Sequence, residues 1–233
     1  MLKIVTLMKR RAGLSVEDFQ NHLRNTYGPL AAKGPGLRRY VQSCALPQGY
    51  GKGELLFDAI GEMWFDTAQT YEKYLGSAEL IAARADEATF LDATRTVVMP
   101  VDVHVIKDGR IPDNAVKNIE FVNKRLGMPL EPFRAYWRNV HGPLASTIPV
   151  MHRYEQNHLA LSQYERNAAP PLRRTRDHLV RLNCRYEARH RHAGICGNAR
   201  RRAEFPAGRP SADHRRPRAR RSMSCALKPA LRA

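Results

Sequence analysis

Arg24-Asn25-Thr26-Tyr27-Gly28-Pro29-Leu30-Ala31 returns as Arg138-Asn139-Val140-His141-Gly142-Pro143-Leu144-Ala145, 114 positions further along the chain. The same displacement pairs Gly13 with Gly127, Phe19 with Phe133, Arg39-Tyr40 with Arg153-Tyr154 and Gln42 with Gln156, without a gap. Self-similarity at one fixed offset marks a duplicated structural unit. Chance likeness between two amphipathic helices would not reproduce the shared Arg-Asn-x-x-Gly-Pro-Leu-Ala string.

The residues around the first string predict its unit. Leu2–Met8 is apolar and β-branched and reads as a strand. Ser15 after Gly13 is a helix N-cap, with Asp18 three residues on. Val16, Phe19, Leu23 and Tyr27 recur at helical spacing, and Gly28-Pro29 is expected to end or kink that helix. A strand over 39–46, a loop over 47–53, a strand over 58–64, a helix over 67–84 and a strand over 97–106 follow. On the last strand Val101, Val103 and Val105 share a face. The order βαββαβ is the ferredoxin-like arrangement, an α+β fold. The second copy begins alike, with a strand over 118–123, a helix over 130–140 behind Pro129, and a strand over 150–161. After Ala169-Pro170-Pro171 the likeness stops.

Charge breaks at the same place. The 233 residues carry a formal +17, but residues 171–233 hold 18 of the 39 Lys and Arg and 4 of the 22 Asp and Glu. That tail therefore carries +14 and the rest of the chain only +3. One reading is a basic tail that binds nucleic acid. The other is a GC-rich gene translated out of register. Back-translated with free codon choice and read one nucleotide later, Leu172-Arg173 permits Tyr-Asp, and Leu179-Val180-Arg181 permits Trp-Phe-Asp. Those stand opposite Phe57-Asp58 and Trp64-Phe65-Asp66. Ala199 to Arg202 permits Arg-Ala-Asp-Glu, opposite Arg84-Ala85-Asp86-Glu87, and Ala219-Arg220-Arg221 permits His-Val-Val, opposite His104-Val105-Ile106. All share the offset 115, one residue more than before, as a single added nucleotide would leave. The division expected is a first unit over 1–113, a truncated second unit over 114–171, and a basic, low-order, out-of-frame tail over 172–233. Tyr186 and Phe205 are the tail's sole aromatic residues, which argues against specific RNA stacking.

Phe133-Arg134-Ala135-Tyr136-Trp137-Arg138-Asn139-Val140-His141-Gly142-Pro143-Leu144 resembles the signature of the EthD-domain family, a branch of the dimeric α+β barrel superfamily. Trp64-Phe65-Asp66 through Arg84-Ala85-Asp86-Glu87 is similar to that family too. The resemblance implies βαββαβ units whose sheets pair into a barrel, here as an intramolecular pseudo-dimer or a homodimer. It implies a small apolar or aromatic ligand between sheet and helices. It also implies catabolic chemistry of the kind linked to ethyl tert-butyl ether degradation, with oxidoreductase or dehydratase-like activity and no cofactor.

His141 stands where the first copy has Tyr27, so one of the two pockets is equipped with an imidazole for general acid–base work. At a helix C-terminus the same residue also serves as a simple cap. Tyr27 and Tyr136 are expected to assist it. Arg24 and Arg138 are candidate anchors for an anionic ligand, and His22, Trp137, Trp64, Tyr40 and Tyr154 candidate pocket walls; core packing is the plainer role for the two tryptophans. Periodicity does not say whether His104 faces a pocket. The Asp86-Glu87 pair reads as ordinary salt bridges closing a helix. His190-Arg191-His192 with Cys184 and Cys196 has no zinc spacing, and there is neither a phosphate loop nor a dinucleotide fingerprint. The mean hydropathy of −0.52, no long apolar run and no signal-peptide core predict a cytoplasmic protein without a membrane span or a specific nucleic-acid partner. A non-catalytic binding or accessory protein is the competing reading.

Overall fold

The computed structural model describes residues 1–113, 115–125 and 127–165, with 182–187 and 222–227. The first half runs β1 (Leu2–Met8), α1 (Val16–His22), a π-helical turn (Leu23–Tyr27), α2 (Gly28–Ala32), β2 (Leu37–Ala45) and a 3-10 turn (Pro47–Lys52). It continues with β3 (Ala59–Phe65), α3 (Ala68–Leu75), α4 (Ala78–Phe90) and β4 (Val97–Asp108). The second half runs β5 (Val116–Phe121), α5 (Leu130–Tyr136), a π turn (Trp137–His141), α6 (Gly142–Ser146), β6 (Met151–Leu159) and α7 (Ser162–Glu165), then β7 (Leu182–Glu187) and β8 (Ser222–Leu227). Each element from α1 to β2 recurs with the same length 114 residues later.

The antiparallel strands close into a barrel in the order β1-β3-β2-β8-β5-β7-β6-β4. Closure removes the unpaired edges that an open sheet exposes. The two seams are alike. The β4 strand leaves the first half to pair with β6, Val101 opposite Leu159 and Asp108 opposite Arg153. The β8 strand pairs β2 through Ser43 and Leu227.

Alternation along the strands sorts side chains between two cores. Ile4, Met8, Tyr40 and Met63 point outward against Phe19, Leu23, Tyr27, Tyr74 and Phe90 of the helical layer. Val5, Leu7, Ile60, Met99, Val101, Ile119 and Leu159 form a second cluster. It joins strands that are not neighbours in the sheet, so it fills the barrel.

Three expectations are corrected. Gly28-Pro29 does not end its helix, which passes through a π turn just before it. The Gly28 N–H bonds the Leu23 carbonyl five residues back, and the chain continues helically to Ala32. The wider π turn makes room for a proline that has no N–H to give. The helix expected over 67–84 is two helices, because Gly76 caps the first and Ser77 starts the second by accepting from the Leu80 N–H. The stretch 172–233 was expected to hold no strand, yet Leu182–Glu187 bridges β5 and β6, and Ser222–Leu227 bridges β5 and β2. Without them β5 would have no partner on either side. The rest of that stretch, with His190, His192 and Cys196, lies outside the described residues.

Candidate functional site

The outer layer of the first half gathers acid–base groups around one ring. Ser15 starts α1, accepting from the Asp18 N–H, and Glu17 and Asp18 sit favourably in its first turn. Phe19, Leu23 and Tyr27 then turn toward the sheet. On α4, Asp86, Glu87 and Phe90 face them. His22 Nε2 lies 2.9 Å from both carboxylate oxygens of Asp86. Tyr27 donates to Glu87 Oε1 at 2.7 Å. The Phe90 ring is 4.6 Å from that of His22, 5.2 Å from that of Tyr27 and 5.8 Å from that of Phe19. Burial pushes the Tyr27, Tyr40 and Tyr74 hydroxyls up, so all three are neutral donors at physiological pH. Burial also raises the Glu87 carboxyl, which the Tyr27 hydrogen bond opposes.

A glutamine behind each layer fixes the π turn. Gln42 Nε2 donates to the Leu23 carbonyl at 2.9 Å and to Tyr40 at 3.0 Å. Gln156 Nε2 does the same to the Trp137 carbonyl at 2.8 Å and to Tyr154 at 2.9 Å. A side chain on Gly28 would place its Cβ 2.8 Å from Gln42 Nε2, so this contact requires glycine.

The second half keeps that scaffold and changes the chemistry. Positions occupied by His22, Leu23, Tyr27 and Cys44 become Tyr136, Trp137, His141 and His158. Trp137 stacks on His158 at 4.4 Å and 18°. The His104 ring meets His158 edge-on at 4.5 Å. Tyr136 and His141 are half-buried and Arg138 is exposed.

The remaining candidates lie apart. Trp64 faces the barrel interior, with Lys3 Nζ 4.7 Å from the ring on one contact and the Arg39 guanidinium 4.8 Å on another. Beside it Glu62 binds Lys3 at 2.8 Å and also binds Lys117, while Lys3 reaches Glu155 at 3.5 Å. Arg24 lines a half-open cleft of about 440 Å³ with Val16, Gln20, Asn21, Pro47 and Tyr50. Thus His22, Tyr27 and Tyr40 share one helical layer, and Tyr136, Trp137, His141 and Tyr154 the other; Trp64 belongs to neither.

Sequence reasoning passed over Asp86 and Glu87, which it assigned to helix closure, and the buried Lys3 and Lys117. The lysines carried a signal, since they too stand 114 apart. Among the described residues no group of three or more His, Cys, Asp or Glu is placed to hold a metal ion, and no helix is long and apolar enough to cross a membrane.

Barrel closure by two four-strand halves, each flanked by outer helices, defines an α+β barrel of the dimeric type, with both halves in one chain. Residues 11–94 match the EthD domain family. Solved structures match over different spans. An ethyl tert-butyl ether degradation (EthD) family protein from Bacillus halodurans C-125 is 25% identical, with 44% of this chain and 98% of that one covered and a TM-score of 0.36. Two proteins described as putative monooxygenases are more distant in sequence. The one from Lactobacillus acidophilus NCFM is 11% identical, covering 80% of this chain and 76% of its own, with a TM-score of 0.45. The one from Fusobacterium nucleatum is 7% identical, covering 80% and 75%, with a TM-score of 0.48. No curated protein matches.

Proposed function

We propose that this EthD-domain protein binds a small apolar or aromatic compound at its outer helical layer and transfers a proton there without a cofactor. One observation carries the reading: His22 is held by both oxygens of Asp86, one turn from the Tyr27–Glu87 pair and against the ring of Phe90. A carboxylate bonded to one imidazole nitrogen orients the ring, leaving the other nitrogen for substrate. His22 is partly exposed, so a ligand at the layer's rim reaches it. Tyr27, by donating to Glu87, holds in place a carboxyl whose pKa burial raises. Proton transfer is chemistry these side chains perform unaided.

The test is exchange of the acidic C–H of 1-phenyl-1,3-butanedione into deuterated water, followed by NMR. Catalysed exchange should fall at least about tenfold in Asp86→Asn and in Tyr27→Phe. Binding without exchange, or exchange indifferent to both changes, refutes catalysis and leaves the accessory-protein reading.

The composition proposed for the chain is two EthD-like units, 1–113 and 114–171, the second followed by out-of-frame sequence. Codons that forbid the shifted matches at 172–173, 179–181 and 199–202 would remove that reading. The Arg-rich nucleic-acid alternative rests on residues mostly outside those described.

A further inference from the structure

We infer that the cleft between α1 and the 3-10 turn is a binding site of its own, and that its ligand is a short peptide with both ends free. The cleft has a volume of about 440 Å³, within the range of small-molecule pockets. One wall is α1 and the start of its π turn, where Glu17, Gln20, Asn21 and Arg24, three or four positions apart, share a face. Val16, Pro47 and Tyr50 add apolar surface. His22 turns to the other flank of the helix, toward Asp86, so the cleft is separate from the acid–base layer.

Both walls are pinned. Tyr50 donates to Asp58 Oδ1 at 2.7 Å. Asp58 is fully buried, and is held in turn by Lys9 at 2.9 Å and by the Arg10 backbone N–H at 2.9 Å. Gln20 Nε2 donates to the Ala45 carbonyl at 2.8 Å, tying the helix to the strand that leads into the turn. The other polar groups are unspent. Among the described residues the side chains of Glu17, Asn21 and Arg24 make no hydrogen bond or ion pair, and Gln20 keeps its amide oxygen. Walls held by buried contacts, carrying polar groups that lack partners, are preorganised for a ligand.

The order of those groups selects the ligand. Glu17 and Arg24 are seven residues apart, about 10 Å along the axis at 1.5 Å per residue. An anion alone would meet Arg24 but also the like charge of Glu17, and a cation alone the reverse. A zwitterion whose charges stand about 10 Å apart satisfies both. Three extended residues span that length, at roughly 3.3–3.6 Å each. Between the two charges, Asn21 offers an amide donor and acceptor and Gln20 an acceptor, the complement of peptide N–H and C=O groups. The Tyr50 ring, with Val16 and Pro47, receives an apolar side chain from the middle of the peptide.

The probe is the tripeptide Ala-Phe-Ala, titrated into the full chain by calorimetry and by amide NMR. Saturable binding is expected, with shifts at Val16, Gln20 and Tyr50 and none at Phe90. Acetylating the peptide's amino end should weaken binding about threefold to fivefold in the parent, as for an exposed charge pair, and should cost nothing further in Glu17→Gln. Amidating its carboxyl end should weaken the parent by a similar factor and cost nothing further in Arg24→Gln. Both substitutions replace exposed side chains, so the fold does not depend on them. Absence of saturable binding, shifts centred on Phe90, or blocked ends that cost the same in parent and variants overturns the inference.

Discussion

Replacing Glu62 by Gln probes how the two halves are held in register. Glu62 is 2% exposed at the centre of the barrel. It reaches Lys3 of β1 and Lys117 of β5, strands that come from different halves. Burial by itself raises its carboxyl, but the ammonium groups of Lys117 and Lys3 outweigh that and hold it at about 2, against an ordinary 4.5. At 1.36 kcal/mol per pH unit, the difference corresponds to about 3 kcal/mol of stability at neutral pH. Truncating one member of a buried ion pair costs a comparable ~3–5 kcal/mol, because the partners stay buried without their counter-charge. The sign of the pH dependence follows. A carboxyl depressed on folding stabilises above its unfolded value, and that gain is lost as pH falls from 4.5 toward about 2. Urea melts of the parent and Glu62→Gln should therefore differ by about 3 kcal/mol at pH 7 and converge toward roughly pH 2–3. Adding Lys117→Met should restore part of the loss, since an apolar side chain leaves no stranded charge. A difference below about 1 kcal/mol at pH 7, or one that persists unchanged into acid, would refute the reasoning.

Gly28→Ala should destabilise by about 1–3 kcal/mol, because the new Cβ meets Gln42 Nε2 at 2.8 Å and the Leu23 carbonyl at 3.0 Å. Thermal unfolding measures it, and pairing the change with Gln42→Ala should relieve part of the cost. Cys44 should resist alkylation at neutral pH, because burial pushes its thiol up to about 11 despite the nearby Arg24. Mass spectrometry of the Cys44 peptide should show labelling that accelerates only in strong alkali or denaturant.

The repeat and the helix-strand order were legible because both are local. A fixed offset needs no three-dimensional knowledge, and Phe19, Leu23 and Tyr27 announce a helical face by spacing alone. The break at Gly76-Ser77 was missed because the apolar residues on either side keep helical spacing while the backbone restarts with a new cap. The late strands were missed for another reason. Leu182-Asn183-Cys184-Arg185-Tyr186-Glu187 alternates, and Ser222-Met223-Ser224-Cys225 does so before the apolar Ala226-Leu227, but so short an alternation is a weak signal inside Arg-rich surroundings. Their pairing with β5 is a long-range requirement that no window of sequence contains.

Of the candidate site, residue types were visible and partnerships were not. His22, Tyr27 and His141 stood out as chemistry-bearing residues in a repeated frame, which sequence alone determined. That Asp86 and Glu87 complete the first pair, some sixty residues away, was decided when α4 packed against α1. That Asp102 of the first half binds Arg134 of the second was decided by β4 crossing the seam. Periodicity fixes which side chains share a face of one element; it is silent on which face of another element closes over them, because that depends on how the whole sheet curls shut.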